Sequence, residues 1–227
     1  MIPPLIVQTA ITKGLNLIAI TDHNAGDNVQ AVIKAAEGES LTVLPGMELQ
    51  TQEDVHVLCL FDTLDQLSEL QTLVDKNLPD IKNNIDYFGE QFIVDQTGDF
   101  LARKDQLLIT ATRLSFDQVF NAVKVLGGLF IPAHVNRQLF GLITHLGFVP
   151  PDLSIDALEI SRHISPEGAR KEFPQIAAYP LIQSGDVHFL EDFLGVNQFK
   201  IAEPTISELI MALRAEANRQ FVIKSRF

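Results

Sequence analysis

The feature that most constrains this chain is an alternation between short, nearly continuous apolar runs and amphipathic helical patterns. Leu15 to Ile20 is such a run, followed by a helical stretch from Asn28 to Ala36 that stops near Gly38, and then by Leu41 to Leu44. A strand apolar at almost every position suits a sheet covered on both faces. The strand–helix–strand rhythm therefore predicts a parallel sheet with covering helices. Further runs follow at Leu129 to Ile131, Ala157 to Ile160, Pro180 to Ile182 and Phe199 to Ala202. Repeated units in this number point to a closed α/β barrel rather than an open sheet.

The helices between them carry clear start and stop signals. Pro3-Pro4 opens a helix with apolar Ile6, Val7, Ala10 and Ile11, and Gly14 ends it. Leu64, Leu67, Leu70, Leu73 and Val74 mark a second stripe, read as barrel packing. Ser115 caps a helix carrying Val119, Phe120, Val123 and Leu126, and Thr205 with Glu208 forms a capping box for the last. Two segments break the rhythm. Leu49 to Thr51 and Val55 to Phe61 read as strands joined by a turn at Gln52 to Asp54. The weaker pattern at 79–112 contains a small surface hairpin, Phe92 to Val94 with Phe100 to Ala102.

At 227 residues and 46% hydrophobic composition, the chain fits one large domain spanning 1–227. A net charge of −12 with no basic stripe argues against sequence-independent nucleic-acid binding. It does not exclude a phosphate substrate, because bound divalent metals reverse the local field. Cys59 is the single cysteine and is read as core, so no internal disulfide forms. Met1 to Pro4 lacks a basic flank and an apolar run, and no segment reaches the roughly 20 apolar residues of a membrane span. A cytoplasmic protein without membrane contact is expected.

The chemistry gathers where apolar runs end. Asp22 and His23, Glu48, His134, and Asp186 with His188 all sit just beyond strands. Parallel strand ends converge on one mouth of an α/β barrel, and histidine with carboxylate is the ligand set of Zn, Mn or Fe. A turn at Gln52 to Asp54 pairs Gln50 with His56 and puts Glu48, Gln50, His56 and Leu58 on one face, with Glu48 diagonal to His56 at about 7–8 Å. Asp186 and His188 share a face if their segment is extended.

These residues also carry a resemblance. Ile18-Ala19-Ile20-Thr21-Asp22-His23-Asn24, Pro45-Gly46-Met47-Glu48 with Val55-His56-Val57-Leu58, Ile131-Pro132-Ala133-His134 and Ser184-Gly185-Asp186-Val187-His188 resemble, in order, motifs of the PHP (polymerase and histidinol phosphatase) superfamily. Gly185 stands where family members often carry serine. The resemblance implies a distorted barrel of about seven strands and hydrolysis of phosphate esters by a metal-activated water. It implies up to three divalent ions, Zn, Mn or Fe, held by His23, Glu48, His56, His134, Asp186 and His188. Asp22 would be a ligand or would orient His23. The family chain opens with a strand bearing His-x-His, which is not found in these residues, so that strand is expected to be missing, either by truncation, with Met1 an internal residue, or by natural loss in a degenerate relative. Fewer metals and self-association through an open barrel seam would follow.

The expected partner is a small phosphorylated metabolite, with Arg137, Arg162 and His163 as candidate contacts at the mouth. His145, on an amphipathic helix, is read as an ordinary surface histidine. Three rival readings remain: a metal-binding barrel without turnover, a nuclease or proofreading module, and a hydrolase of carbon–nitrogen bonds.

Overall fold

The computed structural model describes residues 1–224. Helix α1 (Pro3–Thr12) starts on a proline, whose missing N–H costs nothing in the first turn, and packs on α2 (Val29–Ala35). Between them, β1 (Leu17–Ile20) pairs in parallel with β2 (Thr42–Gln50). Strand β3 (His56–Leu60) returns antiparallel to β2, with Gln50 opposite His56 as the three-residue turn requires.

The sequence reading broke β2 in two, and the structure corrects this: it is one strand through Pro45-Gly46. Ile20, the last residue of β1, pairs with Pro45, and pairing with β3 begins at Gly46. The proline therefore sits where β2 changes partner, and its carbonyl still accepts from Phe61 at 2.8 Å. A Cβ at Gly46 would come within 3.0 Å of the Ile20 carbonyl, so the crossover needs glycine there.

Helix α3 (Leu64–Asn77) is capped by Thr63 and Gln66 in a reciprocal box. After it come a short α4 (Ile85–Phe88) and the antiparallel pair β4 (Phe92–Val94) and β5 (Phe100–Arg103). Helix α5 (Phe116–Val125), boxed by Ser115 and Gln118, leads into β6 (Leu129–Pro132), which pairs antiparallel with β3. Helix α6 (Leu142–Leu146) precedes β7 (Leu158–Ile160), and α7 (Pro166–Glu172) precedes β8 (Leu181–Gln183), parallel to β7. The chain closes with β9 (Asn197–Lys200), α8 (Ile206–Leu213) and β10 (Gln220–Ile223), the last strand unforeseen in the sequence. Only half of the expected box at α8 forms: Thr205 accepts from the Glu208 N–H, but the Glu208 carboxylate binds Arg219 and the Ala202 N–H.

The result is a mixed α/β fold. Alternation along β2 and β3 sorts their side chains between two regions. Met47, Leu49, Val57 and Cys59 pack outward against Leu70 of α3 and Val119 of α5. Leu44, Leu58 and Leu60 face the other way, toward Ile131, Ile182 and Leu209 of α8. On that inner side lies a cavity of about 1280 Å³, lined by apolar residues such as Leu44, Leu58 and Ile131 together with His23, Glu48, Glu159, Asp186 and His188. No helix among the described residues is long and apolar enough to cross a membrane.

Candidate metal centre

Glu48 is the hub. It projects from β2 toward the cavity, nearly buried at 7% exposure. His56 Nδ1 lies 2.9 Å and His134 Nε2 3.3 Å from its Oε1, and His23 Nδ1 lies 3.9 Å from Oε2. Three different strand ends supply these rings. The chain past β1 makes a parallel bridge that puts His23 beside Glu48, β3 starts at His56, and His134 follows β6. The diagonal relation of Glu48 and His56 thus becomes a direct contact.

Burial alone would raise the Glu48 carboxyl's pKa, but hydrogen bonds from His134 and His56, with His23 nearby, hold it well below the usual carboxylate range. An ionised carboxylate only accepts, so His56 Nδ1 and His134 Nε2 carry the protons in those bonds. His23 is pushed below its ordinary value by burial, with Glu48 opposing. Glu159, 2% exposed on β7, is pushed up to about 7 by burial while His134 pulls the other way. Its Oε1 accepts from the His134 backbone N–H at 3.2 Å.

This set suits a divalent cation. Ligand atoms of His23, Glu48 and His56 lie within 4.8 Å of one another. His23 Nδ1, His56 Nε2 and His134 Nδ1 are all buried without a hydrogen-bond partner. Orphaned buried polar atoms are rare, and three in one cluster of imidazoles fit lone pairs reserved for a metal.

Asp186 and His188 occupy the rim. Their segment is a loop, not the extended stretch that the spacing invited, and Asp186 has φ +48°. His188 Nδ1 still comes within 3.6 Å of Asp186, and the His188 and His23 rings lie 6.0 Å apart. Arg137 reaches Asp186 at 2.5 Å. Asp22 lines the cavity with an exposed side chain, while its carbonyl accepts from the Glu48 N–H at 3.1 Å. Arg162 is engaged by Asp192 at 2.6 Å and His163 is exposed; neither lines the cavity.

Two contributors escaped the sequence reading. Glu159 is a lone carboxylate inside an apolar run, a signal that was available. Asn24, fully buried, donates to the carbonyls of Leu108 at 2.7 Å and Thr110 at 2.9 Å and accepts from Gln50 N–H at 3.0 Å. It ties the 79–112 segment to the strand that carries Glu48. Asn24 at φ +50°, His134 at +30° and Asp186 at +48° share the left-handed region, and such strain gathers at functional sites.

A model of the PHP domain matches residues 3–135. The Bacillus subtilis (strain 168) protein YqxK, itself described as uncharacterized, is 23% identical over 245 residues, covering 96% of this chain and 56% of YqxK. Among solved structures, the lesion-specific endonuclease PfuEndoQ from Pyrococcus furiosus superposes with a TM-score of 0.70 at 19% identity, over 97% of this chain and 53% of that one. A protein assigned as a metal-dependent phosphoesterase from Bifidobacterium adolescentis gives 0.54 at 19%, over 83% and 82%. The chain thus spans about half the length of YqxK and PfuEndoQ.

Proposed function

This chain belongs to the PHP domain family, and we propose that its His23–Glu48–His56–His134 cluster is the metal centre of a phosphoesterase. The observation that carries the reading is the convergence of three imidazoles on one buried, ionised carboxylate, with three imidazole nitrogens left unpartnered. His23, Glu48 and His56 would hold the first cation, with His134 beside them and Asp186, His188 and Asp22 toward the rim. A divalent cation bound there supplies charge against phosphate oxygens and makes water acidic enough to attack near neutral pH. The protein's own part is to hold Glu48 ionised, to fix His134 through Glu159, and to offer the fork of Arg137 to a phosphate in place of Asp186. Arg162 and His163 would act only on the outer part of a substrate.

In this reading the separate sheets are arcs of one distorted barrel. Inner side chains from β1, β2, β3, β6 and β8, with Ala157 just before β7, share a single apolar cluster, as barrel interiors do. Among the described residues, strand β1 is paired on one side only and offers an edge for self-association. Zn, Mn and Fe all suit the donors.

The preferred substrate is a small phosphate ester in the cytoplasm, supported by the net charge of −12. A second reading, a nucleic-acid phosphodiester, draws on the likeness to the lesion-specific endonuclease PfuEndoQ. The test is turnover by purified protein loaded with Mn, Zn or Fe. Its substrates are a chromogenic phosphate monoester, the corresponding diester, and duplex oligonucleotides with and without a lesion. Monoester hydrolysis supports the first reading, lesion-directed cleavage the second. Metal binding without any turnover leaves a non-catalytic barrel.

A further inference from the structure

The loop between β6 and α6 reaches back over the metal cluster through one aromatic residue. Phe140 lies flat on the His56 imidazole, with ring centroids 4.3 Å apart and 2° between planes. Its carbonyl accepts the His56 backbone N–H at 3.1 Å, so ring and main chain grip the same residue. Two further rings meet that imidazole edge-on: His23 at 5.1 Å and 61°, His134 at 5.3 Å and 60°. Of the three, Phe140 alone covers a face.

The placement is held against resistance. Phe140 has φ +60°, a conformation that side chains other than glycine's rarely adopt. A Cβ at Gly141, the next residue, would run into the Arg137 carbonyl, so the turn that presents Phe140 is closed to ordinary residues. Leu142 is fully buried beyond it, and Thr144 Oγ1 donates to the Arg137 carbonyl at 2.9 Å. At the loop's other end, Asn136 exchanges hydrogen bonds with Ser161, donating to its hydroxyl at 3.1 Å and accepting its N–H at 2.8 Å. Both ends are anchored, so the left-handed residue between them is over-determined.

We infer that Phe140 is a positioning residue for His56. Its ring locks the imidazole so that Nδ1 stays on Glu48 and Nε2 stays free of protein partners. This rests on the metal-centre reading of the cluster. An imidazole with one free face can rotate about its Cβ bond and exchange the roles of its nitrogens; a ring stacked within van der Waals distance prevents that. Groups that orient metal-binding histidines through hydrogen bonds are well known; here a flat aromatic contact on the ring's face performs the same task beside the carboxylate's hydrogen bond at its edge.

The test uses the full chain with Phe140→Ala, Phe140→Leu and Phe140→Tyr, and two readouts that do not involve turnover. In the metal-free chain, imidazole nitrogen NMR shows one His56 tautomer, Nδ1-protonated, retained in Phe140→Tyr and replaced by averaging in Phe140→Ala and Phe140→Leu. By calorimetry with Zn or Mn alone, Phe140→Ala and Phe140→Leu lose about tenfold in affinity, the lower end for groups that orient a ligand, and Phe140→Tyr stays within about threefold. Should Phe140→Leu match the unchanged chain in both readouts, the ring is only filling space and the inference is overturned. If Phe140→Ala fails to fold, the comparison of Leu with Tyr decides alone. If the unchanged chain binds no metal, the metal-centre reading fails, whereas an unchanged His56 tautomer in Phe140→Ala and Phe140→Leu refutes Phe140's role separately.

Discussion

Replacing Glu159 by glutamine in the metal-free chain turns a buried charge into a neutral amide of the same shape. Its Oε1 keeps an acceptor for the His134 N–H, now at 3.2 Å. The carboxyl is 2% exposed and is displaced upward from 4.5 to about 7, chiefly by burial. At about 1.4 kcal/mol per pKa unit, this corresponds to about 3 kcal/mol of stability linked to its protonation. The folded-state pKa is raised, so the folded chain holds the proton more tightly than the unfolded one. That stabilisation is fully present below about pH 4.5 and is lost as pH rises through about 7. Urea unfolding in the presence of a chelator, run from pH 4.5 to 8.5, reads the effect as the difference between Glu159→Gln and the unchanged chain. The difference should move by about 3 kcal/mol in the variant's favour between the two ends. A difference that is flat across that range refutes the reasoning, because the carboxyl would then titrate alike in both states.

The Glu48 carboxyl, held below its usual range, contributes in the opposite sense: stability present above about pH 4.5 falls as pH drops below it, and Glu48→Gln should flatten that acid limb in the same unfolding series. His134→Ala should cut bound Zn or Mn, measured by elemental analysis, while leaving the thermal melt cooperative. Ser115→Ala removes a cap that accepts from the Gln118 N–H at 3.3 Å and should cost about 1 kcal/mol in chemical denaturation. Phe130→Ala empties a fully buried position between Phe116 and Phe120 and should cost about 3–5 kcal/mol. A loss under about 1 kcal/mol there would mean that the core between β6 and α5 collapses into the gap.

What the sequence made legible was what local rules govern. The β2–β3 register followed from a three-residue turn, and the cap at Ser115 follows from a side chain that reaches its own backbone. His23, Glu48, His56 and His134 could be singled out because a histidine or carboxylate at the end of an apolar strand adds little to packing. The rest depends on what the fold brings near. Glu159 becomes a titrating group only because β7 buries it beside His134, and Phe140 matters only because its loop folds back from far along the chain onto His56. The continuity of β2 was hidden because Pro45 reads as a breaker unless one knows that β1 ends opposite it. The extended reading of Asp186 to His188 failed for a similar reason: the left-handed φ of Asp186 is imposed by its surroundings, and Gly185 packs where a Cβ would strike the Asp192 carbonyl.

The metal centre stands or falls with Glu48 as the carboxylate around which a cation assembles. Anomalous diffraction from crystals of the chain soaked in Mn or Zn tests this most directly. The expected result is a peak within bonding distance of a Glu48 oxygen and of at least one nitrogen from His23 or His56, absent from Glu48→Gln crystals soaked alike. A peak that forms elsewhere, or persists unchanged in Glu48→Gln, contradicts it.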